Sequence, residues 1–187
     1  MKKIILIFFC LLVTGFAQAD PLLDFGFVYS GETFNTTASS SDTQYFYNAS
    51  LLFNLDTGQR CFIGWNVFGI SQASVAASTT TNYSSLDMGP SIRWNIDKAG
   101  TYSLTGTYGY LAKATYSSGS SSENWEGSSL LAQFAIQAAS GRQKIFLGLS
   151  LNYYSATYTK KVVSRVESSN SAQKSWIFPM ITLTWRP

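Results

Sequence analysis

Large apolar residues alternate strictly with small polar ones in segment after segment of this chain. At its C-terminal end, Ile181, Leu183 and Trp185 alternate with Thr182 and Thr184. A period of two residues indicates a β-strand with two unlike faces, whereas an amphipathic helix repeats about every 3.6 residues. The sequence therefore predicts an all-β fold in which one face of each strand meets apolar surroundings.

Eight segments show this alternation, which predicts eight strands. Each segment is about 10 residues long, the length that a tilted strand needs to cross a bilayer. In the third segment Phe68 falls on the polar face, and Ile63, Trp65 and Val67 are predicted to form the apolar side. The segments span residues 22–31, 44–56, 60–71, 86–96, 101–113, 129–138, 144–154 and 177–185.

The connections between these segments alternate between short and long. Turn-forming residues mark the short ones, at 56–59, 97–100 and 140–143. The long ones are rich in Ser, Thr and Asn and cover residues 34–43, 71–85, 116–128 and 157–174. Short turns at one end and long loops at the other are typical of outer-membrane barrels, and an even strand number places both termini on the periplasmic side. The predicted fold is an eight-stranded antiparallel up-and-down transmembrane β-barrel.

The polar faces carry small uncharged side chains where a soluble barrel would carry lysines and glutamates. Charged residues make up 12% of the chain, about half of the usual share near 25%. The interior of an eight-stranded barrel is just wide enough for side chains to fill, so polar faces that point inward would carry small uncharged side chains.

Four charged side chains are nevertheless predicted to point into the lumen: Asp24, Asp87, Arg93 and Lys113. We expect Lys113 to pair with Asp87 toward the long loops. Arg93 is expected to reach Asp24 across the lumen, toward the turns. This network is interpreted as structural, and a gate or narrow conduit is the alternative.

The apolar faces carry no charge in the central part of any predicted strand, which matches a lipid-facing band. Aromatic side chains near the strand ends are predicted to form girdles at the two membrane interfaces. Ordinary strand propensity of aromatic residues is the competing explanation. The girdle residues are Tyr29, Tyr45, Tyr47, Tyr110 and Tyr153 toward the long loops, and Trp94, Tyr102 and Trp185 toward the turns.

The first 19 residues have the pattern of a secretory signal peptide. Lys2 and Lys3 precede an apolar run at 4–13, and Ala17 and Ala19 supply the small residues of a cleavage site. The run is too short to span a membrane, although an uncleaved anchor is the alternative. Cleavage leaves residues 20–187 as the barrel and lowers the net charge from +3 to +1, because two lysines are lost. That balance does not indicate a nucleic-acid partner.

On these features the chain resembles the small eight-stranded outer-membrane barrels of bacteria, of the OmpA transmembrane domain and OmpX kind. The resemblance covers residues 20–187 and rests on architecture, without a motif that selects a subfamily. It implies residence in the bacterial outer membrane, contact with its lipid and lipopolysaccharide, insertion by the barrel assembly machinery, and a monomeric state. Members of this class serve as anchors, adhesins, defence proteins, small channels or lipid-modifying enzymes, so fold alone selects no role.

Composition argues against an enzyme. The chain contains no histidine, so nucleophiles of the Ser/His/Asp and Cys/His kinds have no imidazole base. Cys61 is the one cysteine after the signal segment, which also argues against metal sites built from His or paired Cys. No catalytic, metal or cofactor-binding residue is therefore predicted, and no cofactor is expected.

The last long connection carries a cluster of cations: Lys160, Lys161, Arg165 and Lys174. At the outer leaflet they are candidates for contact with lipopolysaccharide phosphates, and solvated charge is the alternative interpretation.

The sequence favours a non-enzymatic barrel with a structural or surface-interaction role through four polar extracellular loops. A narrow pore for small or apolar molecules, a soluble periplasmic ligand-binding barrel and a subunit of a multi-chain barrel remain as alternatives.

Overall fold

A computed structural model describes residues 20–34, 40–56, 58–76, 79–138 and 144–186. The signal segment at 1–19 and the short connection at 140–143 lie outside the described residues. Eight strands account for most of the described chain, as the alternation predicted. They are β1 (Pro21–Phe34), β2 (Ser40–Asn54), β3 (Cys61–Ala76), β4 (Thr79–Asn95), β5 (Tyr102–Ser118), β6 (Ser121–Gln137), β7 (Ile145–Val163) and β8 (Val166–Trp185).

The strands form one closed barrel in which every strand pairs antiparallel with its neighbours in sequence. β8 pairs with β1 and closes the ring. Leu23 lies opposite Trp185, and Phe27 lies opposite Ile181. The alternating C-terminal segment is thus held on both sides, by β7 and by β1. The all-β, up-and-down topology agrees with the prediction.

The long polar loops expected from the sequence are largely strand, which corrects that part of the prediction. β5 and β6 pair as far as Ser118 and Ser121, and β7 and β8 as far as Val163 and Val166. Ser164 and Arg165 form the β7–β8 turn with positive φ angles of 48° and 70°. These extensions are mostly polar, and their few large inward residues, such as Trp125 and Tyr158, make the alternation too sparse to predict a strand. Residues 35–39 and 77–78 of the other two connections lie outside the described part of the chain.

Buried and exposed residues alternate through much of the barrel, although Phe68, Gly69 and Ile70 of β3 are all buried, and the apolar faces point outward as predicted. Small polar side chains, together with a set of large aromatic ones, point into the barrel. Phe68 is buried in the lumen, whereas Ile63 and Trp65 face outward, which resolves the ambiguity of β3 in favour of the predicted side.

A carboxylate organises the β2–β3 turn. Asp56 Oδ1 accepts hydrogen bonds from the backbone N–H groups of Cys61 at 2.7 Å and Arg60 at 2.8 Å. The bond from Cys61 is the largest cause of a pKa for Asp56 below its ordinary value, because N–H donors favour the charged carboxylate.

Asp56→Ala is expected to reduce stability at neutral pH and to have little effect in acid. The folded pKa lies below the unfolded pKa of about 4, so the carboxylate's contribution is complete above about pH 4 and is lost as pH falls through the folded value. Urea unfolding of both proteins at pH 7 and pH 2.5 measures this, and Glu32→Ala, which removes an exposed carboxylate at the opposite end of β1, is the control. An equal difference between wild type and Asp56→Ala at the two pH values would contradict the assignment.

Candidate functional site

The lumen holds a buried ion pair in its turn-side half. Arg93 of β4 and Asp24 of β1 are both almost completely buried, and Arg93 Nη1 lies 3.5 Å from Asp24 Oδ2. The two strands are not neighbours, so the pair crosses the barrel as the sequence predicted. A buried charge of this kind is stable only when its partner and further hydrogen bonds remain in place.

Hydrogen bonds with Asn95 on β4 itself and with two other strands, β6 and β8, complete this pair. Arg93 donates through Nη2 to Gln137 Oε1 at 2.8 Å and through Nε to Asn95 Oδ1 at 3.2 Å. Thr184 donates to Asp24 Oδ1 at 2.7 Å and accepts a hydrogen bond from Gln137. The network ties β1, β4, β6 and β8 together. Sequence reasoning placed Thr184 in the lumen but did not single out Gln137 or Asn95 as partners.

A second network, in the other half of the lumen, contains Asp87 and three tyrosines. Tyr154 donates to Asp87 Oδ2 at 2.8 Å. The Tyr154 and Tyr158 hydroxyls are 3.2 Å apart, and those of Tyr158 and Tyr83 are 2.5 Å apart. Asp87 is thus the buried end of a chain of phenols that runs across β4 and β7.

Lys113 does not belong to the lumen network, and its predicted pairing with Asp87 is wrong. A β-bulge in β5 places Tyr110 and Leu111 both on the outer face, so every later residue of the strand changes sides. Lys113 is therefore exposed and lies 3.6 Å from Glu126 on the outside of the barrel. In the sequence, the adjacent apolar residues Tyr110 and Leu111 interrupt the alternation, but only the pairing of β5 with β4 and β6 shows that the interruption is a bulge.

Aromatic rings fill the lumen around the tyrosine chain. Phe46 of β2 stacks on Phe178 of β8 with ring centroids 3.7 Å apart, and Trp176 lies 5.6 Å from Tyr154. Sequence reasoning missed these side chains, although their parity with known inward residues marks their face: Phe46 is two residues from Asn48, and Tyr154 is two from Asn152. The buried cluster comprises Phe46, Phe68, Ile70, Tyr83, Ala112, Ala114, Trp125, Leu131, Tyr154, Ala156, Tyr158, Phe178 and Met180.

The four cations proposed for lipopolysaccharide contact lie on or beside the β7–β8 hairpin, and not in a long loop. Lys160 Nζ is 2.9 Å from Glu167, and Lys161 Nζ is 3.4 Å from Glu123. Lys174 faces inward, with its Nζ 5.4 Å from the centroid of the Tyr83 ring and 5.8 Å from that of Trp176. Arg165 occupies the turn. Two of the four charges are thus already paired, and a third lies over aromatic rings.

All eight aromatic residues predicted for the interfacial girdles are exposed on the outer face: Tyr29, Tyr45, Tyr47, Trp94, Tyr102, Tyr110, Tyr153 and Trp185. Their assignment to membrane interfaces stays a prediction.

Apolar side chains and an arginine occupy the turn-side end of the barrel. Leu22, Leu52 and Phe62 form a small buried cluster there. The guanidinium of Arg186 lies 5.0 Å from the centroid of the Phe146 ring, and its backbone N–H donates to Lys144 O at 2.7 Å. Arg186 therefore packs against the barrel end beyond β8.

Among the described residues, no three His, Cys, Asp or Glu side chains group around a common metal position. The described part of the chain also contains no helix that is long and apolar enough to cross a membrane. A scan against protein-family models finds no match, and searches of curated proteins and of solved structures find none either.

Proposed function

We propose that this chain is a non-enzymatic integral β-barrel of a bacterial outer membrane, with both termini in the periplasm. Its role is structural or surface-interacting, and the extended β-hairpins opposite the short turns are the parts that meet the cell exterior. The signal-like segment at 1–19 supports export, and insertion would use the barrel assembly machinery.

The apolar outer surface carries this proposal. All eight strands contribute large apolar side chains to it, and Leu149 of β7 is 65% exposed. Water-soluble proteins rarely expose a contiguous apolar surface of more than a few hundred Å². The same apolar side chains would face lipid in a membrane barrel, whose interior is polar. The belt includes Phe27, Leu51, Trp65, Ile92, Leu104, Phe134, Leu149 and Ile181, one from each strand in order.

The packed lumen favours a structural role over a conduit. The Arg93–Asp24 network and the aromatic cluster lie one above the other along the barrel, and both are buried. Small eight-stranded barrels enclose only side chains, whereas aqueous channels occur in much wider barrels. A pore for small apolar molecules is the second candidate, and it would require these side chains to move.

Membrane residence is tested by flotation with lipid vesicles and by gel migration of boiled and unboiled samples. We expect the folded chain to float with vesicles after a carbonate wash and to migrate differently before and after boiling. Recovery as a soluble, folded protein without detergent would overturn the membrane assignment and favour a periplasmic ligand-binding barrel.

A further inference from the structure

The ring is closed by an unusually short seam between β1 and β8. Among the described residues, β1 pairs with β8 over five positions, from Leu23 to Phe27, but with β2 over fourteen. β8 pairs with β7 along almost its whole length. The turn-side part of the seam is therefore closed, and the part beyond Phe27 and Ile181 is not.

A proline is placed where the seam ends. In an antiparallel strand, successive residues direct their N–H and C=O groups to opposite neighbours. Arg186 donates toward Lys144 on the β7 side, so odd-numbered residues of β8 face β1. Continuing the paired register sets Pro179 opposite Tyr29. Proline has no N–H to donate, so the ladder cannot extend through this position.

The open part of the seam exposes backbone groups on β1. Asp20 accepts a hydrogen bond from Asn54 of β2, so the odd-numbered residues of β1 face β8. Tyr29 and Gly31 therefore direct N–H groups into the opening, where the described part of β8 supplies no ladder partner. Pure hydrocarbon cannot satisfy such groups, whereas an anionic head group accepts hydrogen bonds from them.

Apolar rings and one cation lie behind the opening. Phe46 of β2 stacks directly on Phe178 of β8 across β1, and Trp176 of β8 is only half-buried. Lys174 lies further along the same face of β8, above Trp176. On the outer surface beside the opening, Ile177 is 72% exposed. The free N–H groups of Tyr29 and Gly31 are thus level with the apolar rings, and Lys174 lies beyond them at the outer end of the opening.

We propose that the β1–β8 opening is a lateral binding cleft for a single-chain anionic amphiphile. Its acyl chain lies against Trp176 and Phe178, and its acidic head group lies at the outer end of the opening, at Lys174 and the nearer of the two free N–H groups, that of Gly31. This inference rests on the proposed membrane location, because the opening then faces the outer leaflet, from which the amphiphile enters sideways.

The test uses Trp176 as a reporter in a chain whose other four tryptophans are replaced by Phe and in which Cys61→Ser removes the free thiol. A fatty acid brominated at mid-chain is added to the folded protein in micelles, and a brominated diacyl phospholipid is supplied in vesicles as a second arm. Bromine quenches indole fluorescence on contact. We expect the fatty acid to quench Trp176 saturably and the diacyl lipid to quench it weakly.

A disulfide lock distinguishes lateral entry through the β1–β8 opening from entry along the barrel axis through the open end of the lumen. Tyr29→Cys with Pro179→Cys closes the opening when oxidised. Phe25→Cys with Leu183→Cys places the same crosslink in the part that is already paired. Oxidation is expected to abolish quenching in the first pair only, and reduction to restore it. Quenching that survives the first lock, or is absent from the unlocked chain, would overturn the lateral cleft.

The head-group assignment is tested with Lys174→Gln, which should weaken fatty-acid binding about tenfold. Lys160→Gln, which removes an exposed charge paired with Glu167, should leave it unchanged. Equal fatty-acid affinity of the original chain, Lys174→Gln and Lys160→Gln would overturn the assignment of an anionic head group. Flotation of the same samples keeps the two proposals apart: normal flotation without quenching overturns the cleft alone, whereas failure to float overturns the membrane location on which it rests.

Discussion

Arg93→Met is expected to destabilise the folded barrel by about 3–5 kcal/mol, the usual effect of removing one partner from a buried ion pair. The methionine fills much of the space of the arginine, so the loss reports mainly the carboxylate of Asp24 left without its cation. Gln137 and Asn95 also lose the donors that they accept from. Urea titration in lipid vesicles, followed by tryptophan fluorescence, measures the change in unfolding free energy.

The control adds Asp24→Asn to Arg93→Met. Asparagine removes the stranded charge while still accepting a hydrogen bond from Thr184, so the double variant should be clearly more stable than the single one. If Arg93→Met alone lost as much unfolding free energy as the double variant, the charge of Asp24 would not be the cause. A near-neutral effect of both would show that the ion pair contributes little to the barrel.

Leu149→Arg is expected to destabilise the barrel in vesicles by about 2–4 kcal/mol, the range for arginine facing lipid at the middle of a bilayer. Leu149 lies at the centre of the apolar face of β7 and is 65% exposed. In a water-soluble barrel the same exposed position would change stability by only about 0.5 kcal/mol or less. The substitution therefore distinguishes a lipid-facing belt from a water-facing one.

Thr157→Arg is the matched control, on the same strand and the same face but beyond Tyr153. Near an interface the cost of arginine falls to about 0–1 kcal/mol, so this variant should fold almost as well as the original chain. Vesicle unfolding of the two variants side by side checks the prediction. Equal small effects at both positions would contradict a bilayer around the belt.

Alternation in the sequence was sufficient to predict which large apolar residues form the outer face, because the side-chain period of a strand is two and one face of each strand here is apolar. The same parity placed Asp24 and Arg93 inside, and both lie at the same end of their strands, which is why their pairing across the lumen could be predicted. Asn48 and Asn152 likewise marked the inner face, although the rings at Phe46 and Tyr154 on that face were not recognised.

Strand length was predicted less well, because the hairpin extensions are mostly polar and their few large inward residues, such as Trp125 and Tyr158, leave the alternation too sparse to recognise. Val163 and Val166, which flank the β7–β8 turn, have high strand propensity, but their polar neighbours concealed it. Pairing with a neighbouring strand, which composition does not reveal, maintains these extensions as strand.

By itself, then, the sequence determined the number of strands, their two faces and the buried Arg93–Asp24 pair, since all three follow from a local period of two. The position of Lys113 was decided only by the tertiary structure, because the bulge at Tyr110 and Leu111 exists relative to β4 and β6 and not within β5 alone. The tertiary structure alone also decided that part of the β1–β8 seam is open. Pro179 is visible in the sequence, but only the barrel register shows that its missing N–H faces β1, where the ladder ends.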